Sequence, residues 1–310
     1  MEPTNYKAFW DAKATTTTGA LIAVDGSANE EVARLTGAYA ARQVTAALDL
    51  QPHDRVLELG CGVARIGREL APHIAHWEGA DISANMLGVA RERLQGLANV
   101  GLTELKRTSL EALPSASFTK AYCMAVFIHM DKEDFFLYLE ELARVLVPGG
   151  LVFFDTWNLA SAVGWRRFAL EVGQYRNAGL GQRKDVARNQ FSTPEEVRLF
   201  AQHAGFEPLL MLGDSPWVQL VAAKPGGDRD LARERTRLQG EAARIAYTPL
   251  WTELFDAMIR VTGEGAPTQV LLDALGDDSR GEEVAMFRIW YRELWRHYEE
   301  HWGPLPPALA

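Results

Sequence analysis

The chain has 310 residues, of which 47% are hydrophobic and 24% charged, a composition typical of a globular protein. Its formal net charge of −9 repels phosphate backbones and no dense basic segment offsets it, so we expect no nucleic-acid partner. Two cysteines are too few for a disulfide framework, and the sequence shows neither a signal peptide nor an apolar run long enough for a membrane span. We therefore expect a cytoplasmic protein without a membrane partner.

The N-terminal segment precedes any strand pattern. Aromatic side chains at Tyr6 and Trp10 are followed by apolar residues at helical spacing from Glu30 to about Leu48. This pattern predicts a helical cap or lid over residues 1–49.

From Arg55 onward, short apolar runs alternate with longer amphipathic stretches. The runs predict buried strands at Arg55–Leu59, Trp77–Asp81, Leu102–Arg107, Ala121–Ala125 and Leu151–Asp155. The stretches between them predict helices at Ile66–Leu70, Met86–Leu97 and Phe135–Leu146. Two later runs, Phe206–Leu212 and Trp217–Ala223, complete a set of seven strands. The alternation predicts an α/β fold with a mainly parallel sheet and helices on both faces.

Capping and linker residues delimit this core. Ser83 and Thr193 stand where helix N-caps are expected, and a Lys-Pro-Gly-Gly-Asp segment at residues 224–228 is the best linker candidate. We predict a core domain over residues 50–227, with residues 158–191 forming an insertion that acts as a lid.

A buried strand runs into a glycine turn at Arg55–Gly62. Gly60 and Gly62 let the backbone turn tightly and let a ligand approach closely. A dinucleotide-binding turn would have a third glycine at position 65, where this chain has Arg65. The carboxylate of Glu58 would repel a pyrophosphate but suits a cation. This charge favours S-adenosylmethionine, a nucleoside with a sulfonium, an ammonium and no phosphate.

A second acidic residue closes the next strand. Asp81 stands where it can accept hydrogen bonds from both hydroxyls of a ribose. Ile82 and Met86 stand where they can pack on the two faces of an adenine. Together these three residues predict that a nucleoside binds at the end of this strand.

Five segments resemble, in the same order, the motifs of class I S-adenosylmethionine-dependent methyltransferases: Glu58–Gly62, Asp81–Met86, Thr108–Pro114, Cys123–Met130 and Leu146–Phe154. The resemblance covers roughly residues 50–224. It implies a Rossmann-like seven-stranded sheet, S-adenosylmethionine as cofactor, S-adenosylhomocysteine as product and no metal. The cofactor-binding residues it implies are Glu58, Gly60, Cys61, Gly62, Asp81, Ile82, Met86, Ser109, Leu110 and Cys123.

Two positions depart from the family pattern. Ser109 replaces the usual acidic residue of the segment that touches adenine, so adenine recognition would fall to the Ser109 hydroxyl and the Leu110 backbone. Thr119 replaces a common aspartate at the start of the fourth strand, where we expect a structural role.

His129 is the candidate catalytic residue. An ordinary histidine pKa of about 6.5 suits a general base that takes a proton from an acceptor hydroxyl or amine. The alternative, a site-lining histidine that only hydrogen-bonds a neighbour, stays open. The acceptor contacts we predict come from the cap, the insertion and this histidine: Tyr6, Trp10, His129, Trp157, Asn158 and Trp165.

Other reactive-looking residues have simpler interpretations. Cys61 and Cys123 are expected to fill small apolar spaces, since neither has a histidine partner in sequence. The segment His297–His301 fits the letters of an inverted zinc-protease motif, but an exposed helix end explains it better.

Residues 228–310 predict a helical extension rich in aromatic side chains. Met286, Ile289, Trp290 and Leu294 fall at helical spacing and form one face. Three uses of this face stay open: packing on the core, pairing with a second copy in a homodimer, or covering the acceptor pocket.

The function expected from these features is methyl transfer to a small organic acceptor, since an enclosed aromatic pocket suits a small molecule. O-methylation of a secondary metabolite is the favoured form. The alternatives are N- or C-methylation of a small molecule, a nicotinamide-dependent oxidoreductase, and a non-catalytic binding protein on the same fold.

Overall fold

Eight strands and fourteen α-helices are present in the computed structural model, which describes residues 6–183, 185 and 188–310. The strands are β1 (Arg55–Leu59), β2 (His76–Asp81), β3 (Val100–Glu104), β4 (Phe118–Cys123), β5 (Leu146–Asn158), β6 (Phe191–Ser192), β7 (Glu207–Leu212) and β8 (Trp217–Ala223). The helices are α1 (Tyr6–Lys13), α2 (Thr17–Asp25), α3 (Glu30–Leu48), α4 (Arg65–Leu70), α5 (Ala84–Arg93), α6 (Lys132–Val145), α7 (Ala162–Tyr175), α8 (Leu180–Arg183), α9 (Pro194–His203), α10 (Leu231–Ile245), α11 (Pro249–Glu264), α12 (Gln269–Leu275), α13 (Gly281–His297) and α14 (Glu299–Trp302).

The strands form one sheet in the order β3-β2-β1-β4-β5-β8-β7, with β6 beside the end of β5. β1 to β5 pair in parallel, whereas β8 runs antiparallel to both β5 and β7. This confirms the mainly parallel, Rossmann-like sheet. The strand beyond the seven predicted is β6, whose two residues pair with Trp157 and Asn158 and are too few to form a sequence pattern.

Helices cover both faces of the sheet because alternate strand residues point to opposite sides. One face, which includes Val56 and Tyr122, packs against α3, α4 and α10. The other face, which includes Leu57 and Ala121, packs against α6 and α9. The central strands are therefore buried on both sides, as their continuous apolar runs indicate.

Several predicted boundaries agree with the structure. α3 and β1 have the predicted limits, and the side chains of Ser83 and Thr193 accept hydrogen bonds from the amides of Met86 and Glu196 as N-caps. β5 is longer than predicted, because β8 pairs with it from Leu151 to Trp157.

The C-terminal helices pack against the N-terminal ones. Gln43 Nε2 in α3 donates a hydrogen bond to the carbonyl of Ile245, at 2.9 Å, and Trp290 Nε1 donates to the carbonyl of Asp25, at 2.8 Å. Met286 and Leu294 are buried in an aromatic cluster of the same chain. Part of the aromatic face of α13 thus packs within the chain, against the N-terminal helices. No helix in the described part of the chain is long and apolar enough to cross a membrane.

Candidate active site

A cavity of about 200 Å³ lies at the carboxyl ends of β1, β2 and β4, next to α1 and α2. In parallel α/β sheets this is the edge at which ligands bind. The cavity brings together residues that the sequence singled out from several different segments: Tyr6, Trp10, Glu58, Gly60, Cys61, Gly62, Asp81, Ile82, Met86 and His129.

Backbone geometry explains the glycines in the turn after β1. Gly60 has a φ of +70°, and a Cβ at this position would lie 2.3 Å from Val126 Cγ2. Gly62 has a φ of +49° and more space, since a Cβ there would lie 3.4 Å from its closest neighbour, on Val24. The amide of Gly60 donates a hydrogen bond to the carbonyl of Ala80 at 2.7 Å, which fixes the turn to β2.

The close contact between helix and sheet uses a glycine that the sequence analysis did not single out. A Cβ on Gly67 in α4 would lie 2.1 Å from the indole ring of Trp77. α4 therefore packs closely on β2 through Gly67, although position 65 is an arginine.

Asp81 holds the turn together and borders the cavity. Its Oδ2 accepts the amide N–H of Gly62 at 2.8 Å, and its Oδ1 accepts that of Ser83 at 2.8 Å. Burial raises the pKa of Asp81, while these two amides lower it. Each oxygen of a carboxylate can accept more than one hydrogen bond. The carboxyl of Asp81 thus retains acceptor capacity toward a ligand.

Glu58 is buried in a chain of hydrogen bonds. Tyr122 donates its O–H to Glu58 Oε2 at 2.5 Å and accepts the indole N–H of Trp77 at 3.0 Å. Burial raises the pKa of Glu58 to about 8, although the hydrogen bond from Tyr122 and the charge of Arg65 lower it. A cation bound nearby would favour the ionised form of this carboxyl.

The wall expected to contact adenine is mainly apolar. Ile82 and Met86 line the cavity as predicted, and Leu105 and Thr108 join them. Met86 is almost fully buried. The cavity thus has an apolar side next to the end of β2.

Ser109 and Leu110 are engaged elsewhere. The amide of Leu110 donates to Glu141 Oε2 at 2.6 Å, and the Ser109 hydroxyl donates to the same oxygen at 3.2 Å. Neither residue is among the described residues that line the cavity. The role in adenine recognition predicted for these two residues is not supported, because Glu141 in α6 occupies their donors.

Cys123 also lies away from the cavity. It is fully buried on the face of β4 that packs against α6, whereas Met124 and Ala125 line the cavity. Burial raises the pKa of the thiols of Cys61 and Cys123, so neither forms a thiolate readily.

Ala125 connects the cavity with the C-terminal extension. It has a φ of +57°, and its amide donates to Asp155 Oδ1 at 2.6 Å. Tyr247 donates its O–H to the other oxygen of Asp155, also at 2.6 Å. Burial raises the pKa of this fully buried carboxyl to about 6. Tyr247, which lies just before α11, thus helps to hold the backbone of Ala125 in its positive-φ conformation in the cavity wall.

His129 lines the cavity from a single helical turn over Phe127–His129, in the segment that follows β4. Its ring is 4.9 Å from that of Trp10, in an edge-to-face arrangement. Nδ1 is buried and has no hydrogen-bond partner in the described part of the chain. Burial lowers the pKa of His129 to about 4, so the imidazole is neutral at pH 7 and has an unsatisfied ring nitrogen.

Helix α1 is joined to the rim of the cavity through polar contacts. The amide of Asp131 donates to the hydroxyl of Tyr6 at 3.3 Å, and the hydroxyl of Ser83 donates to Asp11 Oδ1 at 2.7 Å. Lys7 Nζ donates to the carbonyl of Ile82 at 3.3 Å. These contacts connect α1 to the segments that follow both β2 and β4.

Three residues predicted to contact the acceptor lie elsewhere among the described residues. Trp157 stacks on Trp217, with ring centroids 5.1 Å apart, and Asn158 is buried with its amide donating to the carbonyl of Gly213 at 2.8 Å. Trp165 is 57% exposed on α7. The extension of β5 and its pairing with β8 direct these residues away from the cavity, so the prediction for them is not supported.

The structure adds lining residues that the sequence analysis missed: Val24, Arg65, Thr108, Val126, Met130 and Tyr138. Val126, Met130 and Thr108 fall within the segments of the family motifs. Val24 comes from α2, which has no motif to mark it. Among residues 6–183, 185 and 188–310, no three His, Cys, Asp or Glu side chains converge as a metal site would require.

Comparisons with known proteins agree with this geometry. Residues 56–150 match a family model described as a methyltransferase domain. A ubiquinone biosynthesis O-methyltransferase of Aromatoleum aromaticum is 30% identical over 181 residues, which are 57% of this chain and 74% of that protein. One of Paraburkholderia phymatum is 34% identical over 153 residues, 49% of this chain. The chain spans 63% of the length of the latter protein and 44% of a further such relative from Hahella chejuensis.

Solved structures resemble the fold at low sequence identity. The magnesium protoporphyrin IX methyltransferase of Synechocystis PCC 6803, solved with bound S-adenosylhomocysteine, has a TM-score of 0.54 and 16% identity, covering 71% of this chain and 100% of that one. A putative methyltransferase of Haloferax volcanii, solved with its Trm112 activator, has a TM-score of 0.52 and 15% identity, covering 73% and 100%. The family motifs, the fold and the relatives agree: the chain belongs to the class I S-adenosylmethionine-dependent methyltransferases.

Proposed function

We propose that this methyltransferase acts on a small organic acceptor and that the methylated atom is an oxygen. The observation that carries the proposal is that His129 lines the same cavity as Asp81 and the glycine turn and has a ring nitrogen, Nδ1, with no hydrogen-bond partner among the described residues. The relatives named O-methyltransferases support the choice of oxygen. An acceptor from secondary metabolism is the form we favour.

The residues present fit S-adenosylmethionine. Asp81 has acceptor capacity for ribose hydroxyls, Gly62 leaves the backbone open to close approach, and Ile82 and Met86 offer apolar contact to adenine. The cofactor supplies a methyl group already activated on a sulfonium. The chain then has to align the acceptor and exclude water, which can contribute roughly 7–11 kcal/mol to lowering the barrier.

The role we propose for His129 is to orient the acceptor hydroxyl and take its proton. Because the pKa of His129 is about 4, its imidazole is unprotonated at neutral pH and ready to accept a hydrogen bond. It is also a weak base, and a weak base transfers protons best from acidic groups. Phenolic and enolic hydroxyls therefore suit this site better than aliphatic alcohols.

Tyr6 and Trp10 are the residues we propose for the acceptor wall. Both line the cavity, and the ring of Trp10 lies against that of His129. Aromatic walls of this kind enclose a flat acceptor while leaving its polar atom next to the imidazole.

Methyl transfer from labelled S-adenosylmethionine to a panel of phenols, aliphatic alcohols, amines and carbon acids tests the proposal. We expect O-methylated phenols to form, and we expect His129→Gln to lower kcat by roughly 10²–10⁴-fold. Leu199→Ala, on the exposed surface of α9, serves as the control and should keep the original rate. Transfer to amines or carbon acids alone would contradict the assignment of oxygen.

A further inference from the structure

His129 is flanked on both sides by contacts to one short part of the insertion and of β6, residues 188–192, called the return segment below. The carbonyl of Ile128, the residue before the histidine, accepts the amide N–H of Gln190 at 2.7 Å. Lys132, the first residue of α6, donates from its ammonium to a backbone carbonyl of the return segment at 2.8 Å. The backbone that carries the imidazole is thus tied to the return segment both before and after it.

The return segment is itself held by a buried carboxylate, Glu171 of α7, which is only 4% exposed. Arg188 Nε donates to Glu171 Oε2 at 3.1 Å, and the side-chain amide of Asn189 donates to Oε1. Arg167, one helical turn earlier in α7, forms an ion pair in which its Nε lies 3.2 Å from Glu171 Oε1. Arg188 and Asn189 directly precede the amide that donates to the turn of the histidine, so Glu171 fixes the chain next to that amide.

Stability alone is a weak explanation for a buried cluster of charges. Removing a carboxylate and a guanidinium from water costs free energy that their attraction often fails to recover, so apolar side chains could hold the insertion as well. Charge-assisted hydrogen bonds do fix one geometry, because each has a preferred distance and direction. Among the described residues, those that line the cavity do not include Glu171, Arg188 or Asn189. The cluster is therefore suited to act on the site through the backbone and not by contact with a ligand.

We propose that the return segment positions His129 for proton transfer and that Glu171 is the positioning residue that holds this segment, an inference that rests on the proposed function. Nδ1 of His129 has no hydrogen-bond partner in the described part of the chain, so the place of the imidazole depends on the backbone of its turn and on packing against Trp10. A displacement of about 1 Å between reacting groups can lower a rate roughly 100-fold. The insertion thus serves the reaction without contacting either substrate.

The alternative is that Glu171 acts on His129 through its charge alone. Burial lowers the pKa of His129, and the charge of Glu171 partly offsets this effect. Arg188 carries the opposite charge, so the two electrostatic effects differ in sign: Glu171→Gln would lower the pKa of His129 and Arg188→Met would raise it. Loss of positioning has the same sign in both variants, because each substitution breaks the same cluster.

The test measures kcat with a phenol that the acceptor panel identifies. Without any acceptor, it also measures hydrogen exchange of the Gln190 amide and the ¹H–¹³C NMR signal of the His129 ring. We expect Glu171→Gln and Arg188→Met both to lower kcat by roughly tenfold and to leave the dissociation constant of S-adenosylmethionine within about twofold. Both variants should also speed exchange of the Gln190 amide and shift the ring signal. The control Glu140→Gln, which replaces an exposed carboxyl of α6, should keep all four values.

The measurements made without an acceptor separate this inference from the proposed function. Unchanged exchange and an unchanged ring signal in both variants, or changes in kcat of opposite sign, overturn the inference. A cofactor affinity that falls in parallel with kcat also overturns it, since that marks a general loss of structure. If the original chain methylates no acceptor, the proposed function fails, and exchange and NMR alone decide whether Glu171 holds the turn of His129. If Glu171→Gln does not fold, as thermal melting would show, Arg188→Met decides by the same criteria.

Discussion

Replacing Glu58 with glutamine should abolish a release of protons on cofactor binding. The pKa of Glu58 is about 8 instead of 4.5, so its surroundings in the folded chain, chiefly burial, disfavour the charged form by about 5 kcal/mol on balance. A carboxyl with this pKa is about nine-tenths protonated at pH 7. A sulfonium or ammonium placed nearby favours the ionised form, so the carboxyl should lose its proton when the cofactor binds.

Isothermal titration of S-adenosylmethionine at pH 7, in buffers of different ionisation enthalpy, measures this release. The original chain should release close to one proton per cofactor bound, and Glu58→Gln should release almost none. Glu69→Gln, which replaces a carboxyl outside the cavity lining, is the matched control and should behave like the original chain. Equal heats in the different buffers for the original chain, or an unchanged release in Glu58→Gln, would refute the reasoning.

The same carboxyl should make stability depend on pH. Because the pKa of Glu58 is higher in the folded than in the unfolded chain, the folded chain binds more protons between pH 4.5 and 8. The stabilisation from this group is fully present below pH 4.5 and is lost as the pH rises through 8. Urea unfolding at pH 5 and pH 8.5 should show a smaller difference in the free energy of unfolding for Glu58→Gln than for the original chain.

Three further substitutions test the cavity. Gly60→Ala should destabilise the fold by about 2–6 kcal/mol, since φ is +70° at this position and the new Cβ would overlap the side chain of Val126. Gly62→Ala should cost only the backbone strain, about 1–3 kcal/mol. Equal losses of stability in denaturant unfolding would contradict this difference. Because the pKa of His129 is about 4, the contribution of this group to kcat should rise with pH near 4 and stay constant from pH 6 to 8. A step in kcat near pH 6.5 that disappears in His129→Gln would contradict this pKa. Tyr247→Phe removes the hydrogen bond to Asp155 and should weaken binding of S-adenosylhomocysteine by roughly tenfold, while unchanged affinity would show that the C-terminal extension does not support the cavity.

Features specified by local sequence were predicted well. The limits of β1 and α3 follow from apolar periodicity, and the N-cap of α5 follows from Ser83. The glycine turn and Asp81 were predictable because the backbone needs a positive φ at Gly60 and because the carboxyl ends of parallel strands share one edge.

Features set by distant contacts were not predictable from the sequence. The role in adenine recognition predicted for Ser109 is not supported, because its hydroxyl donates a hydrogen bond to Glu141, which lies in a helix 32 residues later. The raised pKa of Glu58 depends on its burial beneath elements that no local pattern brings together. Arg65 looked like a departure from a dinucleotide motif, and only the fold shows that this residue lines the cavity.

The predicted acceptor contacts of Trp157 and Asn158 are not supported for a similar reason. Trp157 and Asn158 were assigned to the acceptor site because they follow an expected strand end at Asp155. In the structure β5 continues to Asn158, and the pairing of Trp157 with Trp217 of β8 keeps it in the sheet. Where a strand ends depends on its neighbour, which the sequence of that strand does not contain.

The account depends most on the claim that the cavity beside Asp81 holds S-adenosylmethionine. Calorimetric titration of S-adenosylmethionine, S-adenosylhomocysteine and NADH into the original chain and Asp81→Ala tests it directly. We expect saturable binding of the first two ligands and none of NADH, with Asp81→Ala weakening the binding by about 1–3 kcal/mol. Saturation by NADH without heat from S-adenosylmethionine, or the same dissociation constant in Asp81→Ala, would contradict the account.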